Sequence, residues 1–219
     1  MSTTIKIENK DGSVKRAIMQ QIDHTKLTIA AATVAAELFH AEVVAKQLTI
    51  SAKNAAAIVL RAGSQAAGLS VISSYYDELA SKTITLARSI NITAVQLSMV
   101  SVTEWRTSAV VTQVERARDM MDDPESARTV AQLGVKVEAE LEHLSDGFQV
   151  LLKELYEQLD EVQRNMRAID VIAVTSRLEA QQTGEFKEGL MQMANSIQDQ
   201  ASEIKNHVAK SVSLLNAYT

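Results

Sequence analysis

The sequence predicts an all-α protein, an elongated antiparallel coiled-coil bundle of long helices, and three observations carry that expectation. Apolar residues make up 46% of the 219 positions, yet aromatics only 4%, and there is one proline. Compact α/β domains need more aromatic bulk and more turn residues than this, whereas long helices packed through Ala, Leu, Val and Ile do not. Apolar residues also recur three and four apart over most of the chain, the spacing of a coiled-coil seam. Finally, two glycine-bearing breaks and one proline corner punctuate the pattern and cut it into four helical segments.

The first segment is expected from near Ser13 or Val14 to about Ala62, after a disordered lead-in over 1–13. Leu27, Ala31, Val34, Leu38, Ala41, Ala45, Leu48, Ala52, Ala55 and Val59 alternate three and four apart along it. A second stripe, Ile22, Ile29, Ala36, Val43, Ile50 and Ala57, lies on another side and is expected to meet a further neighbour. Gly63 and Gly68 are expected to bracket a reversal, because glycine tolerates positive φ and ends helices at little steric cost. The second segment then runs from about Leu69 to Met120, with Ile72, Tyr76, Leu79, Thr83, Leu86, Ile90, Thr93, Leu97 and Val100 facing inward.

Asp122-Asp123-Pro124-Glu125-Ser126 forms the clearest corner, since proline lacks an amide donor and disfavours helix in the residue before it. The third segment spans about Glu125 to Gln182, carrying Phe148, Leu155, Val162, Met166 and Ile169 inward. A second turn is expected near 183–189, and the fourth segment, about Gly189 to Asn216, carries Leu190, Ile197, Ile204, Val208 and Leu215. The expected organisation is a first hairpin over 14–121, a corner at 122–126 and a second hairpin over 127–219. The first three segments measure roughly 50 residues, or about 75 Å each, and the fourth only about 28 residues. Away from the turns three helices must close a core alone, which is a reason to expect a homodimer or higher oligomer.

Composition also excludes several functions. The absence of cysteine removes disulfides, thiolate chemistry and cysteine-ligated metals. A formal net charge of −5 without a basic stripe argues against nucleic acid. Ile29 to Ala36 is the richest apolar run and is too short for a membrane span, and Met1 to Ser13 has no apolar signal core, so a cytoplasmic protein is expected.

Residues Val44 to Thr83 carry a resemblance as well as a pattern. Ala45, Gln47, Ala52, Asn54-Ala55-Ala56, Arg61-Ala62-Gly63, Gly68, Val71 and Leu79-Ala80 fall at fixed spacings. In that register the segment resembles the hairpin tip of the cytoplasmic signalling domain of bacterial methyl-accepting chemotaxis proteins. Val171 to Ile197 also resembles that tip, through Leu178-Glu179-Ala180, Gly184-Glu185 and Gly189-Leu190, with a merely similar helical turn as the alternative. The two glycine pairs are offset by 121 residues. The resemblance implies two hairpins in tandem, a single-chain four-helix pseudo-dimer of what is a dimer of hairpins in the family. It further implies partner binding at the tip, by a chemotaxis histidine kinase, its coupling adaptor or chemoreceptors. The residues placed there are Asn54, Arg61, Gly63, Gly68, Glu179, Gly184 and Glu185. The chain departs from the family at Ile58 and Ser64, where glutamates stand, at Leu69 in place of Phe, and at Thr175 and Gln182 in place of Asn and Arg. Arg61 and Glu179 therefore each lack a partner within their own hairpin, and either a contact across the hairpins completes one polar set or both side chains are simply solvated.

No catalytic set, cofactor or metal site is expected. Two E-x-x-H pairs, Glu37/His40 and Glu140/His143, carry the spacing of di-iron bundle ligands. With the tips together they fall about 30 Å apart along the bundle, too far to share metals, and they read as solvated face residues. His24 and His207 have no second ligand at useful spacing, and Trp105 reads as a packing residue. Three functional readings follow: a non-enzymatic chemoreceptor-like binding protein, a helical scaffold that keeps the hairpin only as a fold, and, last, a metal-binding bundle.

Overall fold

The computed structural model describes the backbone over residues 3–217 and the side chains over residues 28–217. Within these limits the protein is a helical bundle with no strand. Helix α1 spans Thr3–Ala62, α2 Ala67–Asp119, α3 Pro124–Ala180 and α4 Lys187–Asn216. Single 3-10 turns, Gly63–Ala66 and Gly184–Phe186, stand between α1 and α2 and ahead of α4. The start of α1 corrects the expected lead-in, since helix begins at Thr3 rather than near Ser13. Asp11-Gly12-Ser13 looks like a helix entry, but a lone glycine costs only about 1 kcal/mol against alanine and nothing there forbids continuation.

Two compact units make up the fold. One comprises 33–94 and 154–217 and holds most of the core. There the expected seam of α1 is buried at each position from Val34 to Val59, as are Tyr76, Thr83, Ile90, Leu155, Val162, Met166 and Ile169. The α4 residues Leu190, Ile197, Ile204, Val208 and Leu215 complete it. Contacts between helices fix who lies beside whom. Arg88 Nε donates to Glu42 Oε1 at 2.9 Å, and the two residues stand equally far from Gln65 on either side of the first turn. Lys205 Nζ meets Asp170 Oδ2 at 2.6 Å across the second turn. Tyr76 Oη and Ser176 Oγ share a buried hydrogen bond of 2.8 Å between α2 and α3.

The other unit comprises, among the described residues, 3–32 and 95–153, and few of its described side chains are buried. Thr28 Oγ1 donates to Ser101 Oγ at 3.3 Å there. No residue from Val102 to Gly147 is buried, and Trp105, expected to pack, is 39% exposed. The corner within this unit is built as the sequence implies. Pro124 opens α3, and Asp123 accepts hydrogen bonds from the Ser126 amide at 2.9 Å and the Ser126 hydroxyl at 2.6 Å. Those bonds hold the Asp123 carboxyl below its ordinary range, and proline costs nothing at a position whose amide has no helical partner.

Two expectations about α1 change. The second stripe, given a further neighbour above, is instead exposed where its side chains are described: Ile29 and Ile50 are about 60% exposed, and Ala36, Val43 and Ala57 are exposed with them. Ile22 and Leu27 lie outside the described side chains. The membrane expectation also weakens, because one stretch within Thr28–Asp119 is by length and composition apolar enough to cross a membrane. Counting consecutive apolar residues misses it, since Ala-rich helix interrupted by Ser and Thr still averages apolar.

The turns depend on two glycines. Gly63 and Gly184 are the described residues with positive φ, at 57° and 58°. An L side chain at such a φ brings Cβ against the following carbonyl. A Cβ on Gly63 would meet nothing within 4 Å, and neither would one on Gly147, which sits inside α3. The pair separates backbone strain from crowding. Gly63→Ala is expected to destabilise by about 1–2 kcal/mol. Gly147→Ala is expected to stabilise by about 1 kcal/mol through helix propensity. Urea denaturation of both variants checks the opposite signs.

Candidate functional site

Of the sequence-nominated residues, Gly68, Glu179 and Gly184 are brought together where the two turns meet, inside the larger unit, while Asn54 lies nine residues back along α1 from Gly63. A Cβ on Gly184 would lie 3.6 Å from Gln65 Oε1, and one on Gly189 would lie 3.7 Å from Ile58 Cδ1. Beneath them Val59, Ala62, Ala66, Leu69, Ala180 and Leu190 form one apolar cluster, with Ile58, Ile72, Phe186 and Met191 packed against it. This accounts for two departures noted in the sequence: Ile58 and Leu69 build the floor of this end. A glutamate at 58 would bring an uncompensated carboxylate against that apolar floor. Thr183 is buried at the second turn, its hydroxyl donating to the Ala180 carbonyl at 2.8 Å, and its carbonyl accepts the Phe186 amide.

Polar groups stand on top of that floor. Asn54, Arg61 and Glu185 are exposed, and Glu179 is half-buried. Arg61 and Glu179 form no ion pair with each other among the described residues, so the anticipated contact across the hairpins is absent as a salt bridge. Glu179 crosses instead to Gly68, where a Cβ would come within 2.8 Å of its Oε2. Gly68 therefore does not shape the turn; it lies inside α2 and leaves room for a carboxylate from the other half. Near the turns the exposed polar side chains include Arg61, Gln65, Glu185 and Lys187, around an apolar floor.

A second cluster, which the sequence did not disclose, lies farther along the same unit. His207 Nδ1 on α4 meets Glu37 Oε2 on α1 at 2.6 Å, with Lys210 Nζ 3.9 Å from the same oxygen. The His40 and His207 rings stack with centroids 5.6 Å apart. Glu37 is thus mostly buried and paired, which corrects its reading as a solvated face residue, while His40 is exposed. The partners are 170 residues apart, so no local spacing signals them. These residues border a groove of about 410 Å³ with Val43, Gln47 and Glu203. Glu37, His40 and His207 are already bonded or stacked on one another, and no group of three potential metal ligands is poised for an ion among the described residues.

No protein-family model, curated protein or solved structure matches the chain.

Proposed function

We propose that the chain is a non-catalytic, chemoreceptor-like signalling or adaptor protein that binds protein partners through the end where its two turns meet. The finer architecture in this reading is an antiparallel coiled coil of two tandem hairpins, a single-chain pseudo-dimer. The observation that carries it is the paired turn. Two left-handed glycines, each opening a 3-10 turn, fall 121 residues apart and adjoin each other through Gln65, Gly184 and Gly68–Glu179. The resemblance around Asn54 and Arg61 supplies the partner class: a chemotaxis histidine kinase, a coupling adaptor or chemoreceptors, all met in the cytoplasm.

A second reading has its own support. With Ile58 and Leu69 turned to the apolar floor and Arg61 outside any ion pair with Glu179, the end also suits a scaffold that keeps the hairpin only as a fold. Binding separates the two. The purified chain should retain a chemotaxis kinase or adaptor in a pull-down, and Arg61→Glu should weaken that retention roughly tenfold, the loss of one charge-assisted contact made repulsive. Circular dichroism should stay at wild-type helicity, since Arg61 is exposed. No retention, or retention indifferent to Arg61→Glu, would leave the scaffold reading in front.

A further inference from the structure

The exposed side of α1 in the larger unit carries a second complete heptad line that nothing among the described residues covers. Ala36, Phe39, Val43, Lys46, Ile50 and Lys53 follow one another three and four apart, and all are exposed. Phe39 is 55% exposed and Ile50 61%, so this is open apolar surface and not the margin of a core. The internal repeat shows that the fold does not require it. In the second half, the positions offset by 121 from Ala36, Phe39 and Val43 are Glu157, Asp160 and Arg164. Over those three positions the face is apolar in α1 and charged in α3, while Lys46, Ile50 and Lys53 correspond to Arg167, Val171 and Val174.

The two polar members of the α1 line are lysines seven residues apart. Lys46 has a local partner, Glu42, at 2.9 Å, but that carboxylate also accepts from Arg88 and is held below its ordinary range first by Lys46 and then by Arg88 against burial. A helix lying on this line needs acids seven apart with small or apolar residues beside them. The outer face of α3 has that arrangement. Glu154 and Glu161 are seven apart and exposed, Ala168 is half-buried, and Val171 is exposed.

We propose that this line is an interface between copies of the chain, the α1 line of one copy lying antiparallel on the outer α3 face of the next. One antiparallel register satisfies every layer. Lys46 meets Glu161 and Lys53 meets Glu154 of the neighbouring copy. Phe39, the largest side chain, meets Ala168, and Ala36 meets Val171. Ile50 and Val43 fall opposite the aliphatic stems of Glu157 and Arg164, whose heads reach solvent. Each layer joins one heptad set of α1 to the complementary set of α3, as antiparallel pairs require. The two patches differ, so the contact is heterologous and adds copies in sequence instead of closing a dimer. Its length, about 27 Å, is short for a stable interface, so association is weak and concentration-dependent.

Sedimentation velocity over a concentration series tests this with three samples. The wild-type chain should grow in mass with concentration. Lys46→Glu/Lys53→Glu and Glu154→Lys/Glu161→Lys should each associate at least ~10-fold more weakly, because each sets like charges face to face. An equimolar mixture of the two variants should regain wild-type association, since the changed α1 of one then matches the changed α3 of the other. Circular dichroism of each variant should match wild type. A wild-type chain that stays monomeric, a variant that associates as wild type does, or a mixture that fails to recover would each overturn the proposal. The readout is independent of the tip, so loss of partner binding there leaves this result unmoved.

Discussion

Ile204→Ala should lower the unfolding free energy by about 3 kcal/mol, within the ~2–5 kcal/mol range for truncating a fully buried aliphatic side chain. Ile204 is wholly buried on α4, in the unit where the seam residues of all four helices are packed. Removing three carbons there forfeits transfer energy and opens a cavity that a close-packed core only partly refills. The matched control is Leu133→Ala in the other unit, where Leu133 is 50% exposed and no residue from Val102 to Gly147 is buried. That change should cost well under ~1 kcal/mol. Urea denaturation gives both values. Amide exchange should separate the same regions, with protection around Ile204 approaching the global limit and amides between 102 and 147 exchanging through local opening. Equal costs for the two variants would mean that the core does not lie where Ile204 is.

The parts of the fold legible in the sequence were those set by short-range spacing. The seam from Ala31 to Val59 is buried throughout because the three-and-four rhythm can be satisfied only by helix against helix. The corner was legible for the same reason, since Pro124 and its Asp123 cap act within four residues. Residues far apart in sequence were not. The Glu37–His207 contact joins positions 170 apart, and nothing near either one distinguishes it from an exposed glutamate and a stray histidine. Periodicity also reports that a face is apolar without saying whose surface covers it, which is why the Ile50 stripe was given a further neighbour and yet is exposed where its side chains are described.

The turns that frame the candidate site were legible in position, and the contacts between them were not. Gly63 and Gly184 stand at those turns, but the sequence could not divide the labour among the glycines. Gly63 and Gly184 carry the backbone reversal through positive φ, while Gly68 serves by making room for Glu179. Charge bookkeeping suggested an Arg61–Glu179 pair because each lacked its family partner. The structure turns Glu179 toward Gly68 instead, a contact that counting charges does not disclose.

Raising the pH from 10 to 12 should cost the fold roughly 2–3 kcal/mol through one residue, Tyr76. Its ring is buried and its hydroxyl shares a hydrogen bond of 2.8 Å with Ser176. Burial pushes its ionisation up from 10 to about 12, because a phenolate in that core would lose its hydration, while Ser176 and the nearby Arg177 charge pull weakly the other way. The sign follows from linkage. The folded-state value is raised, so between pH 10 and 12 the unfolded chain releases this proton and the folded chain keeps it. Stability is fully present below 10, falls as pH rises, and levels off above about 12. At about 1.4 kcal/mol per unit, the two-unit interval gives the stated loss. Tyr76→Phe removes the titrating group and should flatten that part of the profile. At neutral pH the same variant should cost about 1 kcal/mol for the missing hydrogen bond, a small penalty because Ser176 still donates to the Ile172 carbonyl at 2.8 Å. Urea midpoints of both chains across this range decide the matter. A wild-type slope that survives in Tyr76→Phe would assign the alkaline loss to other groups and place the Tyr76 hydroxyl in contact with water.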